Sequence, residues 1–115
     1  MGLGVVRDAS AYEVVRASVP NTDLDGMVAA LQAQDRLKRF DLEQGPLARL
    51  TWLEVSPQQH VLMISNHHIL LDGWSAPLVL EELASLYKTA CDATPSSLPR
   101  AFDWSAHLAW LAKQD

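Results

Sequence analysis

Two adjacent histidines, followed by an acid and a glycine, are the residues of this chain best suited to proton-transfer chemistry. His67 and His68 end a strand-like run, Asp72 lies four residues beyond His68, and Gly73 comes next. An imidazole with an ordinary pKa near ~6.5 can take up or release a proton at neutral pH. Asp72 either orients a histidine or binds an arginine or nearby backbone amides. The pattern indicates an acid–base site in which His68 is the stronger candidate.

A purely structural interpretation of the same residues stays open. In that interpretation both histidines are strand-end residues bonded to the backbone, and Asp72 forms a turn. Side chains alternate along a strand, so His67 and His68 point apart and we expect no metal site. Gly73 indicates a backbone conformation or a close approach that a side chain would prevent. The sequence has neither a Gly-x-Ser-x-Gly motif nor a glycine-rich phosphate loop.

The elements that must position these residues are predicted to follow the order β-α-β-β-α-loop-α. A strand over 12–19 is followed by a helix that Asp23 caps and that breaks before Gly45-Pro46. Its apolar face is predicted to carry Leu24, Met27, Val28, Leu31, Leu37 and Phe40, with Asp35, Arg36, Lys38 and Arg39 on the other side. Two further helices are predicted, over about 76–90 with Ser75 as cap and over 104–114 with Asp103 as cap. This order is typical of an α/β layer arrangement.

A hairpin leads directly into the two histidines. Strands over 48–55 and 60–66 flank a four-residue turn, and this geometry pairs Val55 with His60 and Arg49 with Asn66. Both faces are largely apolar, so we expect the sheet to be covered on both sides. The same register places Arg49 on the face of His68, from which we hypothesise that Arg49 fixes the histidine loop through Asp72.

Composition excludes several classes of function. A length of 115 residues predicts one domain or less, and a net charge of −5 with scattered basic residues argues against nucleic-acid binding. No apolar run is long enough to span a membrane. The single cysteine rules out a disulfide within the chain and fits the reducing cytoplasm.

Three segments carry a resemblance to a known family. The run 67–75, HHILLDGWS, resembles the HHxxxDG(W)S signature of the condensation domains of nonribosomal peptide synthetases. Upstream, 40–49 resembles the FDLxxGPLxR segment of that family, and 98–115 resembles its LPxxYxDYxxWxxxQ stretch. The order of these segments is more specific than HHxxxDG alone, which other acyltransferases share.

The resemblance implies a fold and a reaction. It implies a partial lobe of the chloramphenicol acetyltransferase type, with a mixed sheet packed with helices. The family joins an aminoacyl or peptidyl thioester to the amine of a second aminoacyl thioester, both carried on phosphopantetheine arms of donor and acceptor carrier proteins. The resemblance implies that the chain binds no cofactor directly. It further implies that His68 acts as a base on the amine or orients it, that Asp72 shapes the loop, and that the Gly73 amide faces the thioester oxygen. The resemblance gives a scaffold role to His67, Trp74 and Ser75, to which our hairpin adds Arg49.

The resemblance covers most of the chain from about Tyr12 onward, and it implies that residues 1–115 are the later part of an N-terminal lobe that carries the histidine motif. We therefore expect the missing segments and a C-terminal lobe to be partners, and no condensation by this chain alone. Two alternatives remain. One is an acyltransferase of the same superfamily with a free alcohol or amine acceptor, and the other is a non-catalytic remnant that docks a carrier protein. Epimerisation domains share the double histidine, but a sequence other than Trp-Ser-Ala-Pro is expected there.

Overall fold

The computed structural model describes residues 14–114, so the predicted strand start at Tyr12 lies outside the described residues. The described residues fall into two compact units, one ending at Asp72 and one beginning at Gly73. The elements are β1 Val14–Ser18, α1 Leu24–Leu37, β2 Ala48–Ser56, β3 Gln59–Asn66, α2 Ser75–Cys91 and α3 Trp104–Leu111. This order confirms the predicted β-α-β-β-α-loop-α arrangement.

The first unit is built on a mixed three-stranded sheet in the order β1-β2-β3. β1 and β2 run parallel, with α1 in the connection between them, whereas β2 and β3 form an antiparallel hairpin. A parallel pair needs a long crossover of this kind, and an antiparallel pair needs only a short turn. The mixed sheet with helices confirms the predicted fold class.

The register of the hairpin differs by one residue from the predicted one. Arg49 lies opposite Ser65, not opposite Asn66. Since side chains alternate along a strand, a slip of one residue moves a side chain to the other face. Arg49 therefore shares a face with Ser65, and the prediction that it shares the face of His68 is wrong.

A bulge next to the turn causes this slip. The turn itself holds only Pro57 and Gln58, and Ser56 pairs with Gln59. The next pair is Glu54 with His60, so Val55 is an extra residue in β2. An extra residue of this kind shifts every later pair by one position. The predicted pair of Val55 with His60 is wrong for the same reason.

The core of the first unit is small. Leu53 is fully buried and Val19 is nearly so, and they are the buried apolar residues of the described range. Most other side chains of β2 and β3 are half-buried on both faces, apart from an exposed strip beside the turn. The expected cover on both sides of the sheet is therefore only partly realised within the described residues.

α1 begins as predicted, with the Asp23 carboxylate accepting a hydrogen bond of 3.3 Å from the Gly26 amide. The assignment of residues to its two faces needs correction at the other end. Leu37 is 84% exposed, whereas Asp35 is half-buried. Asp35 continues the helical spacing of the half-buried positions Leu24, Met27, Val28 and Leu31. The polar character of Asp35 led the sequence interpretation to the wrong face.

The second unit consists of α2, α3 and their connection. α3 begins as predicted, because the Asp103 carboxylate accepts a hydrogen bond of 2.9 Å from the Ser105 amide. The predicted cap of α2 is wrong, since Ser75 is the first helical residue and the cap position belongs to Trp74, whose side chain makes no capping hydrogen bond. Apolar side chains are exposed along both helices.

Candidate active site

The two histidines lie just beyond the end of β3. The strand ends at Asn66, His67 follows it, and a turn covers 68–70. His67 is half-buried, whereas His68 is exposed on the turn. A short turn that follows a strand of a sheet is held at one end by the strand's hydrogen bonds, and this suits it to present a reactive side chain.

His67 makes three hydrogen bonds to backbone groups of other residues. Its amide donates to the Leu47 carbonyl at 2.9 Å, which continues the hairpin by one pair. Its Nδ1 accepts a hydrogen bond of 3.1 Å from the Ile69 amide, and its carbonyl accepts one of 2.9 Å from the Leu70 amide. Because Nδ1 is an acceptor, the proton of the neutral ring lies on Nε2. These bonds define the turn that carries His68.

Behind His67 lies a group that the sequence did not reveal, which we call the Arg49 cluster: Asp35, Phe40, Arg49 and His67. The rings of Phe40 and His67 meet edge to face, with centroids 6.3 Å apart. The guanidinium carbon of Arg49 lies 4.0 Å from the centroid of the Phe40 ring, within the range of a cation–π interaction. The cluster thus extends from α1, across β2, to the residue that precedes His68.

Arg49 is held in a fixed orientation by Asp35. Its Nε donates to one carboxylate oxygen at 2.9 Å and its Nη2 to the other at 3.1 Å. The same Nη2 donates to the carbonyls of Asp35 and Lys38 at 3.1 and 3.0 Å. These carbonyls lie at the end of α1, where the last carbonyls lack the amide four residues on, and the Asp35 carbonyl also accepts a hydrogen bond of 3.0 Å from the Lys38 amide. A cation at this position also complements the helix dipole.

The bonds from Arg49 lower the pKa of the Asp35 carboxyl group. Hydrogen bonds from the Arg49 guanidinium, with a smaller contribution from the Ser65 hydroxyl, hold the pKa of Asp35 below its usual value of 3.8 although burial opposes this shift. The side chains of Arg49 and Asp35 are 27% and 17% exposed, so the pair is largely but not completely shielded from water. The carboxylate with which Arg49 forms an ion pair is that of Asp35, whereas a link from Arg49 through Asp72 stays a hypothesis.

The remaining motif residues are divided between the two units. Asp72 is exposed and is the last residue of the first unit. Gly73, Trp74 and Ser75 begin the second unit, where Trp74 is 88% exposed and Ser75 is half-buried at the start of α2. A Cβ on Gly73 would meet no atom of residues 14–114 within 4 Å, and the φ of Gly73 lies outside the left-handed region. Within the described residues, the expectation that the backbone around Gly73 excludes a side chain is therefore wrong.

The other two histidines lie against tryptophans. His60 stacks on Trp52 with ring centroids 5.0 Å apart, and His107 lies 5.0 Å from Trp104 on α3. Within residues 14–114, no three His, Cys, Asp or Glu side chains come together as metal ligands. Neither His60 nor His107 lies on the turn that carries His68.

The mixed sheet and the turn that carries His67 and His68 can now be compared with known protein families. The model of the Condensation domain family matches residues 4–115. The chain therefore belongs to the condensation-domain family, and it is a partial condensation domain of the nonribosomal peptide synthetase type.

Several synthetases are similar in sequence. A linear gramicidin synthase polypeptide from Brevibacillus parabrevis is 37% identical over 91 residues, which cover 79% of this chain and 2% of that protein. Bacitracin synthase 3 from Bacillus licheniformis is 30% identical over 108 residues, which cover 94% of this chain and 2% of that protein. Malpinin synthetase from Mortierella alpina is 41% identical over 75 residues, which cover 64% of this chain and 1% of that protein. This chain thus spans only a few per cent of the length of these relatives.

Solved structures agree with the family. The crystal structure of the starter condensation domain of rhizomide synthetase RzmA matches with a TM-score of 0.73 and 26% identity, covering 91% of this chain and 26% of that one. A variant of the same domain matches with a TM-score of 0.77 and 24% identity, covering 92% and 27%. The chain spans about a quarter of these domains. None of the helices within residues 14–114 has the length and apolar character needed to cross a membrane.

Proposed function

We propose that this chain provides the histidine-motif portion of a condensation domain that forms amide bonds between thioesters bound to carrier proteins. The observation that carries the proposal is the contrast between the two histidines. His67 is fixed by three backbone hydrogen bonds, whereas His68 is exposed on the turn that those bonds define. Such an arrangement presents one imidazole to a substrate at a set position.

The proposed reaction is an acyl transfer to nitrogen. The acceptor amine attacks the carbonyl carbon of the donor thioester, the new C–N bond forms, and the C–S bond breaks to release the donor arm as a thiol. The amine loses one proton and the leaving sulfur gains one. His68 takes up the amine proton or orients the amine and stabilises the tetrahedral intermediate. The Gly73 amide is proposed to face the developing oxyanion, and Asp72 to keep the loop in shape.

The substrates define the proposed partners. Donor and acceptor carrier proteins present both thioesters on phosphopantetheine arms, so the chain itself binds no cofactor. The rest of the condensation domain, including its C-terminal lobe, supplies the second wall of the channel in which the arms meet. We propose a reducing cytoplasm as the place of this reaction, because the sequence has one cysteine, Cys91, and builds no disulfide within the chain.

Reconstitution of the complete domain tests the proposal. The chain is mixed with the separately produced remaining segments, the mass of the complex is measured by light scattering, and dipeptidyl carrier protein is measured by mass spectrometry. We expect a stoichiometric complex that forms product and loses it in His68→Ala. His107→Ala is the matched control, because it removes an imidazole from α3, and it should retain activity.

Two results would oppose the proposal. Product formation that survives His68→Ala would remove this imidazole from the reaction. A stable monomer that ignores the remaining segments and gives no product would identify the chain as a non-catalytic remnant of the same family.

A further inference from the structure

We infer that Arg49 and Phe40 are positioning residues for His68, and that they act through His67. The inference rests on the proposed function of His68, and it concerns how the turn that carries this histidine is held in place. Neither residue touches the reacting atoms. Their contribution is geometric and passes along the Arg49 cluster.

The first step is the fixed orientation of the Arg49 guanidinium. Two bonds to the Asp35 carboxylate and two to backbone carbonyls use both Nε and Nη2. A planar guanidinium bound in this two-pronged way has little freedom to rotate. A lysine here would keep the positive charge but could not donate through two nitrogens in one plane. Arg49→Lys should therefore weaken the interaction with Asp35.

The second step is the support of Phe40. The guanidinium carbon lies 4.0 Å from the centroid of the Phe40 ring, and Phe40 is half-buried in the segment that follows α1. A cation at this distance attracts the ring face, so the fixed position of Arg49 also determines where the ring lies.

The third step is the contact between Phe40 and His67. The two rings are perpendicular, with centroids 6.3 Å apart, which is a preferred arrangement for aromatic pairs. If the imidazole rotated away, its Nδ1 would lose the hydrogen bond from the Ile69 amide. Because that bond spans the position of His68, the orientation of the His67 ring is coupled to the shape of the turn.

The two ends of the segment 40–49 both belong to the Arg49 cluster. Phe40 is its first residue and Arg49 its last, and the segment between them leads from the end of α1 into β2. The turn at Gly45, with a φ of 65°, lies within this connection. The segment thus leads from the end of α1 into β2, and its Phe40 contacts His67 although the two residues are 27 positions apart in sequence.

Nitrogen-15 NMR of the full chain provides the test, with selective histidine labelling for the ring nitrogens and uniform labelling for amide exchange. The wild-type spectrum should show His67 with an unprotonated Nδ1 and a protonated Nε2. In Phe40→Leu and in Arg49→Lys we expect a mixture of the two neutral forms at His67, together with amide hydrogen exchange at Ile69 faster by on the order of tenfold. Phe40→Tyr keeps the ring and should restore the wild-type spectrum.

Matched controls separate this effect from general loosening. Arg36→Lys changes an exposed arginine near the end of α1, and Phe102→Leu changes an exposed ring in the second unit, so neither should alter His67. If Arg49→Lys fails to fold, Phe40→Leu decides the question because it leaves the ion pair intact. An unchanged His67 spectrum and unchanged Ile69 exchange in folded Phe40→Leu would overturn the inference.

A kinetic measurement on the reconstituted domain distinguishes the two proposals. We expect Phe40→Leu to lower kcat by about tenfold with KM for the acceptor within about twofold, since a displaced catalytic group costs turnover more than binding. Full turnover in Phe40→Leu beside an inactive His68→Ala would overturn only the positioning role. Full turnover in His68→Ala would overturn the proposed function, while the His67 spectrum would still report whether Phe40 sets the turn.

Discussion

The pair formed by Arg49 and Asp35 allows a quantitative test of the geometry. We expect Asp35→Asn to lower the free energy of unfolding at pH 7 by about 2 kcal/mol. Hydrogen bonds to charged groups contribute about 1.5–3 kcal/mol, whereas fully exposed ion pairs contribute about 0–1 kcal/mol. Side chains that are 27% and 17% exposed fall between these cases. A loss of ~2 kcal/mol corresponds to a change of ~30-fold in the folding equilibrium.

The same pair predicts a dependence on pH. The pKa of Asp35 is lower in the folded chain than its usual value of 3.8, so the folded state binds the proton less readily than the unfolded state. The stabilisation is therefore fully present above the usual value, and it is lost as the pH falls through the lower folded value. The difference in stability between wild type and Asp35→Asn should shrink over that acidic range.

Urea denaturation followed by far-ultraviolet circular dichroism is the assay. A double-mutant cycle with Arg49→Met should give a coupling energy of about 1–2 kcal/mol at pH 7. Asp25→Asn, which alters an exposed carboxylate on the same helix, is the control and should change stability by less than about 0.5 kcal/mol. A coupling energy below about 0.3 kcal/mol, or a difference that does not change in acid, would refute the reasoning.

Three further substitutions test the fold around the site. Leu53→Ala should cost about 2–5 kcal/mol of unfolding free energy because Leu53 is fully buried, and an equal cost for the half-buried Leu50→Ala would contradict this ranking. Gly73→Ala should change the stability by less than about 0.5 kcal/mol, because a Cβ there meets no described residue within 4 Å, and a variant that unfolds would contradict this. A Cβ on Gly26 would lie 2.5 Å from Oδ2 of Asp23, so the gain of about 1 kcal/mol in helix propensity should be cancelled by loss of the cap. Gly26→Ala should therefore raise the stability of the Asp23→Ala variant but not that of the wild type. Equal effects in the two backgrounds, measured by thermal denaturation, would contradict the clash.

The order of elements was predictable because local patterns determine it. The caps at Asp23 and Asp103 are short-range features, since the carboxylate and the amide that it binds are close in sequence. Their geometry depends on little else in the chain. The same holds for the end of β3, which the sequence interpretation placed correctly at Asn66.

The register and the Arg49 cluster were not predictable from such patterns. Nothing in the residue type of Val55 marks it as an extra residue, yet the bulge there changes the face of every residue of β2 before it. The role of Asp35 was missed because its charged side chain was placed on the solvent-facing side of α1. Its spacing from Leu31 and Val28 placed it on the half-buried side, and a charged side chain on that side needs a partner.

The connections between the strands also imply an order of assembly. Two residues join β2 to β3, whereas Val14 of β1 pairs with Leu50, thirty-six positions later. Hairpins close in about 1–10 μs, while pairing of distant segments must first overcome a larger loss of chain entropy. We therefore expect the hairpin to form before the crossover through α1 brings Asp35 to Arg49. On this expectation, partial unfolding would separate the Arg49 cluster from His67 before the hairpin opens.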